Sequence, residues 1–127
     1  MSDGFVIKQH EGITHHIFIH SEDSAVDEWA AAFHKLMADT PEDHPFYVLM
    51  DVSGKDVYFT ANARETTQKL FTAYRQRKGY IAFIFVWVTG PHIAKLFLSS
   101  LGKLEYTIES FSTAAEGLTW LHSIRED

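Results

Sequence analysis

The sequence predicts a single α/β domain over residues 1–127, built on a mostly parallel five-stranded sheet, and three observations carry that expectation. Phe46 to Met50 and Tyr80 to Thr89 are apolar at consecutive positions, the pattern of central strands buried on both faces. Stretches of helical periodicity alternate with the strand-like runs once an opening hairpin is past. No repeat, low-complexity tract or linker longer than a turn interrupts this order. The element order is β-β-α-β-α-β-α-β-α, with right-handed crossovers, packed helices and the first strand as an antiparallel edge.

Phe5 to Gln9 and Ile13 to His20 are rich in β-branched and aromatic residues and are separated by His10-Glu11-Gly12, which reads as a hairpin. In the second run Ile13, His15, Ile17 and Ile19 fall on one face, and Thr14, His16, Phe18 and His20 on the other. Ser21 to Asp39 carries helix signals, with Ser21 or Ser24 able to cap and acids in the first turns. Its stripe of Val26, Trp29, Ala30, Phe33 and Met37 faces a sheet. Pro41 and Pro45 end it before the strand Phe46 to Val52.

The next helix is expected from Ala61 to Lys78, with Ala63, Thr67, Leu70, Phe71 and Tyr74 inward. Its outer face holds Arg64, Lys69, Arg75, Arg77 and Lys78 against Glu65, a basic surface on an acidic chain. Gly79 stops it, and Gly90-Pro91 opens a further helix to about Leu104, packed through Ile93, Leu96, Phe97, Ser100, Leu101 and Leu104. A last strand, Tyr106 to Phe111, leads to a helix capped by Ser112 or Thr113 and packed through Ala114, Leu118, Leu121 and Trp120.

Composition excludes several function classes. The chain has no cysteine, so disulfides, thiol catalysis and thiolate metal sites are absent. A net charge of -6 has the wrong sign for broad nucleic-acid binding. The longest apolar run, Ile81 to Val88, is far short of the roughly 20 residues that span a bilayer. The N-terminus lacks the basic and apolar regions of a signal peptide, so the expected location is cytoplasmic. The eight histidines show no HExxH or similar spacing, so neither a metal nor a cofactor is expected. There is no GxSxG, P-loop or GxGxxG either, and the reading is non-enzymatic.

The connector after the central strand is the candidate site. Asp51 and Asp56 bracket Ser53-Gly54 at the carboxyl end of that strand, where open α/β sheets hold ligands. In such a connector Asp51 equally serves local loop amides while Asp56 is solvated. Thr60 stands at the start of the following helix, as an N-cap or as a phosphoacceptor near Arg64.

Tyr47-Val-Leu-Met-Asp-Val-Ser-Gly54, its connector and its helix resemble the centre of the STAS domain, the family of anti-sigma factor antagonists and SpoIIAA-like proteins. Phe111-Ser-Thr-Ala-Ala-Glu-Gly-Leu-Thr-Trp-Leu121 is similar to the end of that domain. The resemblance implies a STAS-like fold and recognition of a protein partner such as an anti-sigma factor or kinase. The expected partner surface joins this connector to the basic helix face and comprises Ser53, Gly54, Asp56, Thr60, Arg64, Lys69 and Arg75, the cations meeting an acidic partner. Antagonists open this helix with Asp-Ser-Ser/Thr-Gly, where this chain has Phe59-Thr60-Ala61-Asn62-Ala63. Thr60 is thus the hydroxyl nearest the phosphorylated position. Phe83, Phe85 and Trp87 need cover from core, a homodimer partner or an apolar, lipid-like ligand, and the last makes a small carrier the rival function.

Overall fold

The computed structural model describes residues 4–85 and 90–125, so Trp87 lies outside the described residues. β1 (Phe5–His10) and β2 (Ile13–Phe18) form the expected hairpin. Glu11 and Gly12 both take positive φ, 49° and 90°, the turn geometry whose twist matches two right-twisted strands. There follow α1 (Asp23–Asp39), β3 (Phe46–Asp51), α2 (Ala61–Ala73), β4 (Gly79–Ile84), α3 (Gly90–Ser99), β5 (Thr107–Phe111) and α4 (Ala114–Arg125). The sheet order is β1-β2-β3-β4-β5, antiparallel at β1/β2 and parallel elsewhere.

Strand alternation divides the core into two layers. Phe46, Val48, Met50 and Ile81 face α1, α2 and the end of α3, among Trp29, Phe33, Leu70, Phe71 and Leu101. Leu49, Ala82 and Ile84 face the opposite way, against Leu121 of α4. Consecutive apolar positions in β3 and β4 are therefore buried from both sides, as their pattern predicts. Three crossovers of one hand advancing in one direction put α1, α2 and α3 on one face and leave α4 alone on the other. α4 sits close because residue 117 is glycine: a Cβ there would lie 2.6 Å from Leu49 Cδ1. Thr113 caps α4 by accepting the Glu116 amide at 3.2 Å while its hydroxyl reaches the Glu116 carboxylate.

Four expectations need correction. Ser21 and Ser24 do not cap α1: Glu22 holds the cap position without a side-chain bond, and the Ser21 hydroxyl is turned to the connector. α2 ends at Ala73, not Lys78, because Tyr74 leaves helical backbone geometry and the chain needs those residues to return to the sheet at Gly79. β4 ends at Ile84. α3 stops at Ser99, and its register exposes Leu96 (61%) and Ser100 while Phe97, Leu98 and Leu101 turn to the core.

The early end of α2 changes the role of Arg77. Its Nη1 donates to Met37 O at 3.1 Å and its Nη2 to Thr40 O at 2.7 Å, closing the last carbonyls of α1. Arg77 is half-buried structure and no part of a free basic face. Arg77→Ala is expected to lower stability by about 1–3 kcal/mol, read from the urea midpoint, because carbonyls lose a charged donor. An unchanged midpoint would show that water serves those carbonyls equally well. Among the described residues, no helix is long and apolar enough to cross a membrane.

Candidate functional site

The connector from Val52 to Thr60 is held at each end by hydrogen bonds that its own residue types supply. Asp51, at the end of β3, accepts from the Ser53 amide at 2.9 Å and from the Ser53 hydroxyl at 2.5 Å. That is the local Asx pattern which a carboxylate two residues back favours. Gly54 packs its α-carbon where a Cβ would meet Phe18 O at 3.2 Å, and its carbonyl accepts the Val57 amide at 3.1 Å. His20 and Asp56 form an isolated parallel bridge, and the Ser21 hydroxyl accepts the Tyr58 amide at 2.8 Å. At the far end Thr60 caps α2, its Oγ1 accepting the Ala63 amide at 3.0 Å.

Between these anchors two aromatic side chains stand in solvent. Tyr58 is 65% exposed and Phe59 44% exposed, and the Phe59 ring meets Phe97 edge-on at 5.1 Å. Beneath them lies a cavity of about 90 Å³ whose walls come from several elements, with Phe18, Trp29, Phe71, Phe83, Phe85 and Phe97 among them. Val57, Ala63, Thr67 and Leu98 also line it, and no charged side chain does so among the described residues. Trp29 is 2% exposed, and its indole Nε1 is buried without a hydrogen-bond partner among the described residues.

A second, polar concavity adjoins the first and is lined by His20, Ser21, Glu22, Asp23, Asp56, Tyr58 and Thr60. The His20 ring accepts the Glu22 amide at 3.2 Å. Thr60 thus sits among three carboxylates, which oppose added negative charge even though a helix N-terminus favours it.

The seven residues of the expected partner surface are only partly brought together. Ser53, Gly54, Asp56 and Thr60 share the connector, and Asp56 and Thr60 also share the polar concavity. Arg64, Lys69 and Arg75 are all exposed, and none has a carboxylate within ion-pair distance among the described residues. They do not form one patch. Arg64 and Lys69 are five residues apart, roughly 140° around an ideal helix. Arg75 lies past the end of α2, where its Nε reaches Thr72 O at 3.4 Å.

The histidines do not assemble into a centre. His15 and His16 face opposite sides of β2, as alternation requires. His15 Nδ1 lies 3.0 Å from His10 Nε2, while His16 packs edge-on against Phe5 at 5.5 Å. Burial pushes the His15 pKa down, helped by His10, and the neighbouring Asp51 pulls it back only in part. Among the described residues no three His, Asp or Glu side chains gather as a metal site would require, and no hydrogen bond joins a histidine to Ser53.

Sequence reasoning missed Tyr58, Phe59 and the cavity beneath them. A signal existed, since two adjacent aromatics in a polar connector have no periodic partner to bury them. The need of Phe83 and Phe85 for cover was legible, but the identity of the covering elements was not. Comparison with known protein families, with curated proteins and with solved structures finds no match.

Proposed function

We propose that this domain is a regulatory protein-interaction module of the anti-sigma factor antagonist type, without chemistry of its own. It captures an acidic partner through the connector and the exposed side of α2. One observation carries this reading: a connector pinned at both ends presents Tyr58 and Phe59 to solvent, and the helix that follows it exposes Arg64 and Lys69 without a counter-ion among the described residues. Exposed aromatics on a rigid support lose little conformational freedom when covered, which is why such residues dominate binding energy at interfaces. Exposed cations on α2 speed the approach of an acidic surface. Phosphorylation of Thr60 would place a dianion among Glu22, Asp23 and Asp56 and so work against that partner.

The test is a comparative capture. Wild-type protein and an Arg64→Glu/Lys69→Glu variant are used as baits against the same lysate, with Lys35→Glu/Lys103→Glu as a control of equal net charge. The expected result is a protein retained by wild type and by the control, lost from the double variant, with melting temperatures unchanged. Equal retention by all three overturns the reading.

A small carrier of an apolar or lipid-like molecule is the second reading, and the cavity favours it. Its volume of about 90 Å³ weighs against it, since a cavity that takes a single benzene is nearer about 150 Å³. A fixed mass increment in the native mass spectrum of purified protein would favour the carrier.

A further inference from the structure

One edge of the sheet stands open. β1 pairs with β2 alone, and Val6, Ile7, Lys8 and Gln9 are exposed in an unbroken run, Val6 at 38% and Ile7 at 47%. The hairpin register decides which of its backbone groups face outward. The Ile19 amide donates to Gly4 O at 2.8 Å, so Gly4 and Ile19 form a hydrogen-bonded pair, and such pairs alternate along an antiparallel ladder. Val6, Lys8 and His10 therefore turn their amides and carbonyls to Ile17, His15 and Ile13 of β2. Phe5, Ile7 and Gln9 turn theirs away from β2, and no hydrogen bond among the described residues takes them up.

An edge in this state is a template for a further strand, and proteins blunt such edges with a charge, a proline, a bulge or a covering element. β5, at the other edge, carries the exposed Glu109 at its centre. β1 has no proline, its register with β2 runs without a bulge, and the middle one of its three outward-facing residues is the apolar Ile7. Lys8 is its one permanent charge, and that charge selects among the ways in which β1 can pair with itself.

Antiparallel pairing of two copies about a twofold axis at Ile7 sets Phe5 opposite Gln9 of the second copy and Ile7 opposite its own counterpart. All three outward residues then exchange both backbone bonds. Val6 lies opposite Lys8 of the second copy, whose methylene stem covers it while the ammonium stays in water. An axis at Lys8 would set lysine directly against lysine, which is destabilising. An axis at Val6 would leave Gln9 with no partner inside β1.

We infer that β1 is the surface at which two copies of this chain join, antiparallel and centred on Ile7, into one continuous sheet. The same patch on each copy completes the other, the isologous arrangement of a twofold dimer. Val6 and Ile7 lose their exposure to water in the process. The interface shares no residue with the connector or α2, so it goes beyond the interaction-module reading and can fail without it.

The experiment is sedimentation equilibrium of the full chain over a wide concentration range, with residue-resolved amide exchange on the same samples. Ile7→Lys sets two like charges in direct opposition, and Ile7→Pro removes an amide that β2 does not use. Circular dichroism and melting curves establish which variant folds as wild type, so a structural failure of one leaves the other. The expected wild type is a dimer in which the Ile7 and Gln9 amides are protected along with those of Val6 and Lys8. Each folded variant raises the dissociation constant at least about tenfold and frees the Gln9 amide, while Val6 and Lys8 stay protected by β2. Arg64→Glu/Lys69→Glu leaves the dimer unchanged. In this cysteine-free chain Ile7→Cys links two copies on mild oxidation. Lys8→Cys does not, because the two copies of residue 8 lie diagonally, roughly 7–8 Å apart. A wild type that stays monomeric overturns the inference, and so does a dimer that both Ile7 variants leave intact. Faster linking through Lys8→Cys than through Ile7→Cys overturns the register and with it the proposed interface. Ile7 and Gln9 amides that gain protection only when a different protein is added overturn it in favour of a partner's strand.

Discussion

Phe33→Ala is expected to cost the domain about 3–5 kcal/mol, seen as a large fall in the urea midpoint with the slope unchanged. Phe33 is fully buried, and its ring meets Trp29 at 5.8 Å, Phe46 at 6.2 Å, Phe71 at 5.9 Å and Tyr74 at 5.9 Å. Those contacts tie α1 to β3 and to α2 at once, so neighbours held by three elements cannot collapse into the space left behind. With domains stable by only about 5–15 kcal/mol, such a loss takes a large share of the total. It also loosens the frame under the connector, because Trp29 and Phe71 are walls of the cavity. A cost below about 1 kcal/mol would mean that α1 does not pack at this point, since that is the range of ordinary surface changes.

A second large effect is a fall in stability between pH 6.5 and about pH 4 that belongs to His16. Burial pushes its pKa down to about 4 from the usual 6.5, and the adjacent His15 pushes in the same direction. His16 is 1% exposed and its Nδ1 is buried without a partner among the described residues, so nothing offsets the cost of charging it. In the unfolded chain the imidazole takes its proton near pH 6.5, before the folded chain does. Stability is therefore full above that pH, declines as pH falls through the interval, and is lower by about 3 kcal/mol once both states are protonated. Urea midpoints at several pH values, for wild type and His16→Leu, isolate the contribution as the difference between two curves. If both proteins lose stability in parallel, another group is responsible. His15, lowered in the same direction, adds to the decline in the same sense.

Much of the fold was legible because its signals are local. Consecutive apolar residues in Phe46 to Met50 announce a strand with no wet face, and the same rule recognised the strand beginning at Tyr80. Helical spacing picked out Val26, Trp29, Phe33 and Met37, all of them buried. Ends were harder, because where a helix stops depends on what the chain must reach next. The basic run after Tyr74 continues a plausible helical face, yet Arg77 is drawn to the carbonyls of α1, some 40 residues earlier. Ser21 looks like a cap in sequence and is instead a brace for Tyr58, 37 residues away. Near the connector, the Thr60 cap of α2 was legible from residue type alone. The cavity was not, because Phe18, Trp29, Phe71, Phe85 and Phe97 belong to five different segments.

The sequence by itself determined the kind, number and order of elements, since period and residue type act over a few positions and are written into each segment separately. Only the tertiary structure decided which cations stay free, which serine braces a loop, and that a ring of distant aromatics encloses space under an exposed pair. Those outcomes follow from sheet register and from crossovers of one hand, which bring segments far apart in the chain to the same side of the sheet. No local pattern of residues encodes that meeting.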